Sequence, residues 1–214
     1  MTSMTGAPNL LGRVDLLSRV LDWGERALLL FLYLLLVRRL WPSLAGTPLN
    51  AILILAETMV IGFVAFRRQT AAITKHPLDW VLALSGTLPP LFFVAGGGKI
   101  QAGAVAAGLM VMGILVQVSA KLFLRRSFGV AAANRGVKMD GPYRLVRHPM
   151  YLGYAITWIG FLSINANWRN LALILFALVM QTLRIVVEER LLKTDLAYSG
   201  YMARVRWRII PGLF

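Results

Sequence analysis

The chain has 214 residues, of which 58% are hydrophobic and only 15% are charged, and its mean hydropathy is +0.68. A soluble domain is about 45–50% apolar and about 25% charged, so this composition predicts an integral membrane protein with a single compact domain. The absence of cysteine excludes disulfides, thiolate nucleophiles and cysteine-ligated metals. The net charge of +14 is explained better by basic residues that flank membrane spans than by binding to nucleic acid.

The segment before the first apolar run, residues 1–22, is predicted to form an amphipathic helix on the membrane surface. Its apolar residues recur at helical spacing, while its arginines occupy other positions. These apolar residues are Leu10, Leu11, Val14, Leu17, Val20 and Leu21. We divide the rest of the chain into N-terminal spans over residues 23–99 and a C-terminal region over residues 100–214, which carries most of the unusual polar features.

Six apolar runs predict an all-α membrane protein with about six transmembrane helices, because each run is near the roughly 20 residues that a helix needs to cross a bilayer. Pro89 and Pro90 are expected to kink or break the third run. Asn165 to Asn167 separate the last two runs and predict a tight turn between antiparallel helices. The runs cover approximately residues 23–41, 49–66, 78–95, 100–124, 150–165 and 168–187.

Lysine and arginine are distributed unevenly among the predicted loops. They are concentrated in the N-terminal segment, in the loops at 67–77 and 125–149, and in the tail after residue 188. The three opposite loops contain only four: Arg38, Arg39, Lys99 and Arg169. Loops rich in positive charge remain in the cytoplasm, so we expect both termini and the long 125–149 loop on the cytoplasmic side.

The most unusual stretch is GPYRLVRHPMYLGY, residues 141–154, which precedes and enters the fifth run. Pro149 suits the first turn of a helix, where its missing N–H has no partner in any case. The other N–H groups at such a helix start are unpaired and carry partial positive charge, so they are a candidate site for an anionic group. A basic loop that only fixes the topology would account for the arginines but not for Tyr143, His148 and Tyr151 within nine residues.

The sixth run ends in QTLRIVVEERLL. Arg184 and Glu188 are four residues apart and therefore lie on one face of the helix. This spacing fits either an ion pair within the helix or a pair of functional groups. Glu189 is expected to point elsewhere and to continue into the polar tail, where Tyr198 and Tyr201 fit either a membrane anchor or a lid over a site.

Glu57 lies near the middle of the second run. An ionisable residue at bilayer depth is costly and usually faces the interior of the helix bundle with a partner, so Glu57 is a candidate for substrate binding. A structural carboxylate, either protonated or paired, is the alternative. With two histidines and no cysteine, no cluster has the spacing of metal ligands.

Together, GPYRLVRHPMYLGY, the short helix pair, EERLL, the paired tyrosines and the final PGLF resemble the isoprenylcysteine carboxyl methyltransferase family. The chain resembles the bacterial and archaeal members more than the longer eukaryotic enzymes, and the resemblance covers roughly residues 108–214. It implies that S-adenosylmethionine binds on the cytoplasmic side of the membrane, which we expect to be a bacterial inner membrane. Two departures from the eukaryotic pattern, DLAYSGY and VRW in the tail, affect the acceptor pocket more than the cofactor pocket.

The resemblance also implies roles for individual residues. Arg184 resembles the substrate-contacting arginine of the family, and Glu188 would hold a polar group of the cofactor, so these two form the predicted catalytic pair. The predicted cofactor-binding residues are Arg135, Gly136, Val137, Lys138, Tyr143, His148, Pro149, Met150, Tyr151 and Glu188.

These features predict a methyltransferase that moves a methyl group from S-adenosylmethionine to a lipophilic acceptor. A carboxylate acceptor like that of isoprenylcysteine is favoured, because it is already ionised and needs only alignment and a cation. The alternatives are a phospholipid, amine or thiol acceptor, an NADPH-dependent sterol-type reductase, and a transporter or scaffold with Glu57, Arg184 and Glu188 as a polar relay. The expected partners are the acceptor and membrane lipids, and the sequence does not predict an oligomeric state.

Overall fold

The computed structural model describes residues 16–66, 74, 76–98, 103–124, 127 and 137–214, and within these residues all regular structure is helical. The all-α prediction is therefore confirmed. Short 3-10 helices cover Trp41–Ala45, Pro89–Phe92 and Gly141–Arg144. The α-helices of this part of the chain are α1 (Leu16–Leu40), α2 (Asn50–Ala65), α3 (Pro77–Thr87), α4 (Gly103–Leu124), α5 (Pro149–Ile164), α6 (Trp168–Leu192) and α7 (Leu196–Arg204).

Each of the six predicted runs corresponds to one helix from α1 to α6, but the helices differ in length. Within the described ranges, three stretches are long and apolar enough to cross a membrane: Leu16–Ala45, Gly103–Leu124 and Trp168–Leu192. Helices α2 and α5 are apolar but have only 16 residues each. Helix α3 has 11 residues because Pro89 and Pro90 follow it directly, which confirms the predicted break.

The predicted surface helix lies only partly within the described residues, since residues 1–15 are outside them. Its last part, from Leu16 onward, continues into α1 without a break at residue 22, because no proline interrupts this stretch. Leu16 and Val20 are exposed here, whereas Ser18 and Asp22 are buried. Such a helix has its apolar face toward lipid and its polar face toward the protein.

Helix α5 packs mainly against α4, and the two backbones approach closely at small residues. A Cβ atom added to Gly153 would lie 2.6 Å from Cγ of Gln117, and one added to Gly160 would lie 2.6 Å from Cγ of Met110. Close approach of this kind is typical of helices that associate within membranes. It makes α4 and α5 a single rigid support for the residues at the start of α5.

Four amide side chains hold the turn between α5 and α6, and we call them the asparagine cluster (Asn50, Asn165, Asn167 and Asn170). Asn165 Nδ2 donates to Asn50 Oδ1 at 3.1 Å, which joins the turn to α2. Asn167 Oδ1 accepts from the backbone N–H of Asn170 at 2.8 Å and so caps α6. The Asn170 amide bonds both backbone groups of Val94, at 3.0 and 2.9 Å. The tight turn predicted at Asn165 to Asn167 is present.

Helix α6 packs mainly against α3 rather than along α5. Gln181 Nε2 donates to the backbone oxygen of Gly86 at 2.9 Å, and Arg190 Nη2 donates to Asp79 Oδ1 at the same distance. The bundle core therefore contains two tightly packed pairs, α4 with α5 and α3 with α6. A cleft remains between these pairs, and it is described below.

Candidate functional site

Four charged or polar side chains meet where the start of α5 lies beside the end of α6, and we call them the ionic cluster (Arg147, His148, Glu189 and Arg208). Glu189 is 1% exposed. Its Oε1 atom lies 2.9 Å from Arg147 Nε and 3.2 Å from His148 Nε2, and its Oε2 atom accepts from Arg208 Nε at 3.1 Å. One carboxylate thus neutralises cations from two separate parts of the chain.

The position of Glu189 corrects the sequence analysis, which expected this residue to continue into the polar tail. Arg147 and His148 are both buried at the start of α5, and buried cations need a counter-charge. Glu189 supplies that charge from α6. Two basic residues directly before an apolar helix were the signal in the sequence that called for a buried carboxylate.

The polypeptide after α7 packs onto the start of α5. The backbone N–H groups of Arg147 and His148 donate to the carbonyl oxygens of Trp207 and Arg208 at 2.9 and 2.7 Å. These two N–H groups precede the helix start that was a candidate anion site, and carbonyl oxygens of the tail occupy them. The tail is therefore packed against the site rather than held apart from it.

Two tyrosines of α7 complete this packing. The Tyr201 hydroxyl donates to the backbone oxygen of Tyr143 at 2.7 Å. Tyr198 is 4% exposed, and its hydroxyl has no hydrogen-bond partner among the described residues. Burial raises the pKa of both Tyr198 and Tyr201, so both hydroxyls remain neutral and able to donate at pH 7.

Glu188 lies at the centre of a second group of side chains next to the ionic cluster. Its Oε1 atom accepts from the Tyr151 hydroxyl at 2.5 Å and from Arg184 Nε at 2.9 Å. The Arg184 guanidinium also lies over the Tyr151 ring, 5.3 Å from its centroid. The Oε2 atom of Glu188 is 3.9 Å from His148 Nδ1. The ion pair suggested by the sequence is present, but it also includes a tyrosine from α5.

The predicted cofactor residues differ in their placement. Val137 is half-buried and Lys138 is exposed, while Arg135 and Gly136 lie outside the described residues. The remaining ones from the motif are buried together around the start of α5, beside Glu188: Tyr143, His148, Pro149, Met150 and Tyr151.

The cleft between the helix pairs has an empty volume of about 340 Å³. Arg184 connects it to Glu188, and Arg184 Nη1 donates to Thr87 Oγ1 at 3.4 Å. A second cavity, of about 360 Å³, shares Glu57 and Thr87 with the cleft and extends between α1 and α2 along leucine side chains. The residues that line the cleft are Glu57, Val60, Gly86, Thr87, Pro90, Tyr154, Trp158, Gln181 and Arg184.

Glu57 of α2 is the carboxylate on this cleft, and it interacts electrostatically with Lys121 of α4. The sequence analysis missed Lys121, which is fully buried and lies 5.0 Å from the centroid of the Tyr154 ring. Its Nζ atom donates to Gln117 Oε1 at 3.3 Å. The rule that singled out Glu57, an ionisable residue inside an apolar run, applies equally to Lys121.

The phospholipid methyltransferase family model matches residues 102–198, from just before α4 to the first turn of α7. No curated protein matches the chain. The matched region contains the motif at 141–154, Arg184 and both glutamates at the end of α6, whereas Glu57 lies outside it. The resemblance found in the sequence is confirmed. Residues 102–198 of this chain belong to the phospholipid methyltransferase family, within the isoprenylcysteine carboxyl methyltransferase-like group of integral membrane methyltransferases.

Proposed function

We propose that the protein transfers the methyl group of S-adenosylmethionine to a lipophilic acceptor within the membrane. The observation that carries this proposal is the arrangement of Tyr151, Arg184 and Glu188. They lie between the buried motif at the start of α5 and a cleft that continues along apolar side chains. A polar cofactor and a lipid need such a meeting point. The match to a membrane methyltransferase family supports the same function.

The polar groups beside the motif fit S-adenosylmethionine, which supplies an electrophilic methyl group and also carries an amine, a carboxylate and hydroxyls. Glu188 Oε2 has no hydrogen-bond donor among the described residues, and the buried Tyr198 hydroxyl has no partner there either. Buried polar groups without partners are rare in proteins, so these two favour a polar ligand. The residues proposed to hold it are Arg135, Gly136, Val137, Lys138, Tyr143, His148, Pro149, Met150, Tyr151 and Glu188.

Arg184 is proposed to orient the acceptor from the polar end of the cleft. Its planar guanidinium suits a carboxylate or a phosphate, and the apolar cavity between α1 and α2 suits a lipid tail. A carboxylate acceptor, as in isoprenylcysteine, would need no base. A phospholipid amine is the second candidate, because Glu57 faces the same cleft and a carboxylate can accept the proton of an amine.

The topology is proposed to consist of six membrane helices, with α3 and the 3-10 helix at Pro89–Phe92 forming one broken span. Both termini and the ionic cluster would then face the cytoplasm of a bacterial cell, as the distribution of basic residues indicates. In this arrangement the region at 100–214 binds the cofactor. The spans at 23–99 contribute Glu57 and the tail-binding wall of the cleft.

Titration of the detergent-solubilised protein with S-adenosylhomocysteine tests the proposal. We expect binding and thermal stabilisation, and we expect Glu188→Gln to weaken binding by roughly 1–3 kcal/mol, the cost of losing a partner to a buried polar group. Arg184→Ala should leave this binding within a few-fold but lower methyl transfer roughly a hundredfold, because the acceptor is no longer aligned. Arg184→Lys should restore only part of the transfer, since an ammonium cannot make a two-pronged contact.

The same titration separates the rival functions. A reductase would be stabilised by NADPH and not by S-adenosylhomocysteine. A transporter or scaffold would bind neither compound, and Glu57→Gln would then abolish transport with no change in cofactor binding. Absence of any binding or stabilisation by S-adenosylhomocysteine at millimolar concentration would overturn the proposed function.

A further inference from the structure

We infer that the cleft selects an acceptor whose head group carries an N–H or O–H bond. In this arrangement Gln181 positions that bond, and Glu57 receives the proton that methylation releases. The inference rests on the proposed function and names its acceptor class. Its first support is an unfilled hydrogen-bond acceptor on the cleft wall.

The Gln181 amide has a fixed orientation. In α3 the carbonyl of Gly86 would normally accept from the residue four positions later, but that residue is Pro90 and has no N–H. Gln181 Nε2 donates to the Gly86 carbonyl instead, at 2.9 Å. The nitrogen must face that carbonyl, so Oε1 takes the other position.

Gln181 Oε1 is a buried acceptor that lacks a donor. The residue is 4% exposed, and Oε1 has no hydrogen-bond partner among the described residues. Gln181 lines the cleft together with Glu57. Because native proteins satisfy nearly all buried polar atoms, an acceptor left open on a cavity wall favours a ligand that donates a hydrogen bond.

Glu57 adds a second acceptor and a negative charge to the same cleft. The cations that act on the cleft have other contacts as well: Lys121 donates to Gln117, and Arg184 donates to Glu188 and Thr87. A carboxylate acceptor would bring a second negative charge next to Glu57 and would offer no donor to Gln181. A head group with an N–H or O–H bond satisfies Gln181 and Glu57, and a neighbouring phosphate satisfies Arg184.

The proton balance assigns a task to Glu57. When an amine or hydroxyl is methylated, its lone pair forms the bond to the methyl carbon, and the carbon–sulfur bond breaks with its electron pair remaining on sulfur. One proton is released overall, and the Glu57 carboxylate takes it from the acceptor. A carboxylate acceptor releases no proton and would leave Glu57 without this role.

Three probes test the inference on the full-length protein in maltoside detergent with saturating S-adenosylhomocysteine. Decylphosphoethanolamine and decylphosphocholine share a tail and a phosphate but differ in their N–H bonds, and farnesylthioacetate presents a carboxylate with no donor. The wild-type protein should bind decylphosphoethanolamine at least roughly tenfold more tightly than decylphosphocholine, because a site built for a donor rejects the analogue without it.

Glu57→Gln should change the binding of the charged probes in opposite directions. Decylphosphoethanolamine should bind roughly tenfold more weakly because its ammonium loses a counter-charge, whereas farnesylthioacetate should bind more tightly because a repulsion is removed. With S-adenosylmethionine and saturating decylphosphoethanolamine, the transfer rate constant should also fall roughly a hundredfold, the usual contribution of a general base. Asp140→Asn, the same change at an exposed carboxylate outside the cleft, should alter none of these values.

Gln181→Leu provides a second variant that keeps the charge of the cleft. It should remove most of the preference for decylphosphoethanolamine over decylphosphocholine. A wild-type protein that binds farnesylthioacetate best, or that does not distinguish the two phosphate probes, overturns the inference even if Glu57→Gln fails to fold. S-adenosylhomocysteine binding in that case would leave the proposed function standing, whereas its absence would defeat the proposed function itself.

Discussion

The two ends of the α5–α6 pair have opposite kinds of polar cluster. At the turn, the asparagine cluster is neutral, and its amides bond to one another and to backbone groups of the segment at 94–96. At the other end, the ionic cluster and Glu188 are charged, and a carboxylate oxygen and the Tyr198 hydroxyl have no partner among the described residues. A saturated neutral network specifies structure, whereas charged groups with spare hydrogen-bonding capacity are typical of binding sites.

Glu189→Ala should have the largest effect on stability and would show that the ionic cluster also has a structural role. Removing the carboxylate leaves Arg147 buried without its counter-charge, and breaking a buried pair in this way costs about 3–5 kcal/mol. The tail also loses its contact through Arg208. We expect a lower midpoint of thermal unfolding and faster tryptic cleavage after Arg204 and Arg206.

Glu188→Ala is the control for this prediction, because it removes a carboxylate one position earlier in α6. Its side chain is 19% exposed, compared with 2% for Glu189. It should lower cofactor binding more than stability. Equal losses of stability in the two variants would contradict the division of roles between the two glutamates.

Asn165→Ala should have an intermediate effect, restricted to stability. The substitution leaves the N–H of Gly96 and the side-chain oxygen of Asn50 without their partner, at a cost of about 1–3 kcal/mol for each buried group. Thermal unfolding measures the loss. S-adenosylhomocysteine affinity should change less than twofold, and a larger change would show that the two ends of the helix pair are coupled.

Tyr201→Phe and Tyr198→Phe should have the smallest effects and should differ in kind. Tyr201 loses its bond to the Tyr143 carbonyl, which should lower stability by about 0.5–1.5 kcal/mol. Tyr198 has no such bond to lose, so Tyr198→Phe should keep the wild-type stability and weaken S-adenosylhomocysteine binding. The reverse pattern would assign the structural role to Tyr198.

Much of the helical layout could be predicted from the sequence because it depends on local properties. Apolar runs, the paired prolines at 89 and 90, and the asparagine turn each act within a few residues, and each was placed correctly. The pairing of α5 with α4 could not be predicted in this way. It depends on glycines that matter only when a second backbone lies against them.

The site was predicted in part for the same reason. The spacing of Arg184 and Glu188 on one helix gave their shared face, and a single rule for buried charges gave Glu57. The role of Glu189 depends on Arg147, about forty residues away along the chain, and that of Gln181 depends on a missing donor in α3. Neither partner can be identified from local spacing.

The two prolines after α3 also change what this helix offers to its surroundings. In an uninterrupted helix nearly every carbonyl is consumed by the helix itself, so only side chains are available to a ligand or a neighbour. Pro89 and Pro90 remove two donors, and the hydrogen-bonding capacity that they release is turned outward at Gly86. A polar wall deep within an apolar bundle is thus made by subtracting backbone donors rather than by adding charged residues, and it keeps the surrounding sequence as oily as a membrane requires.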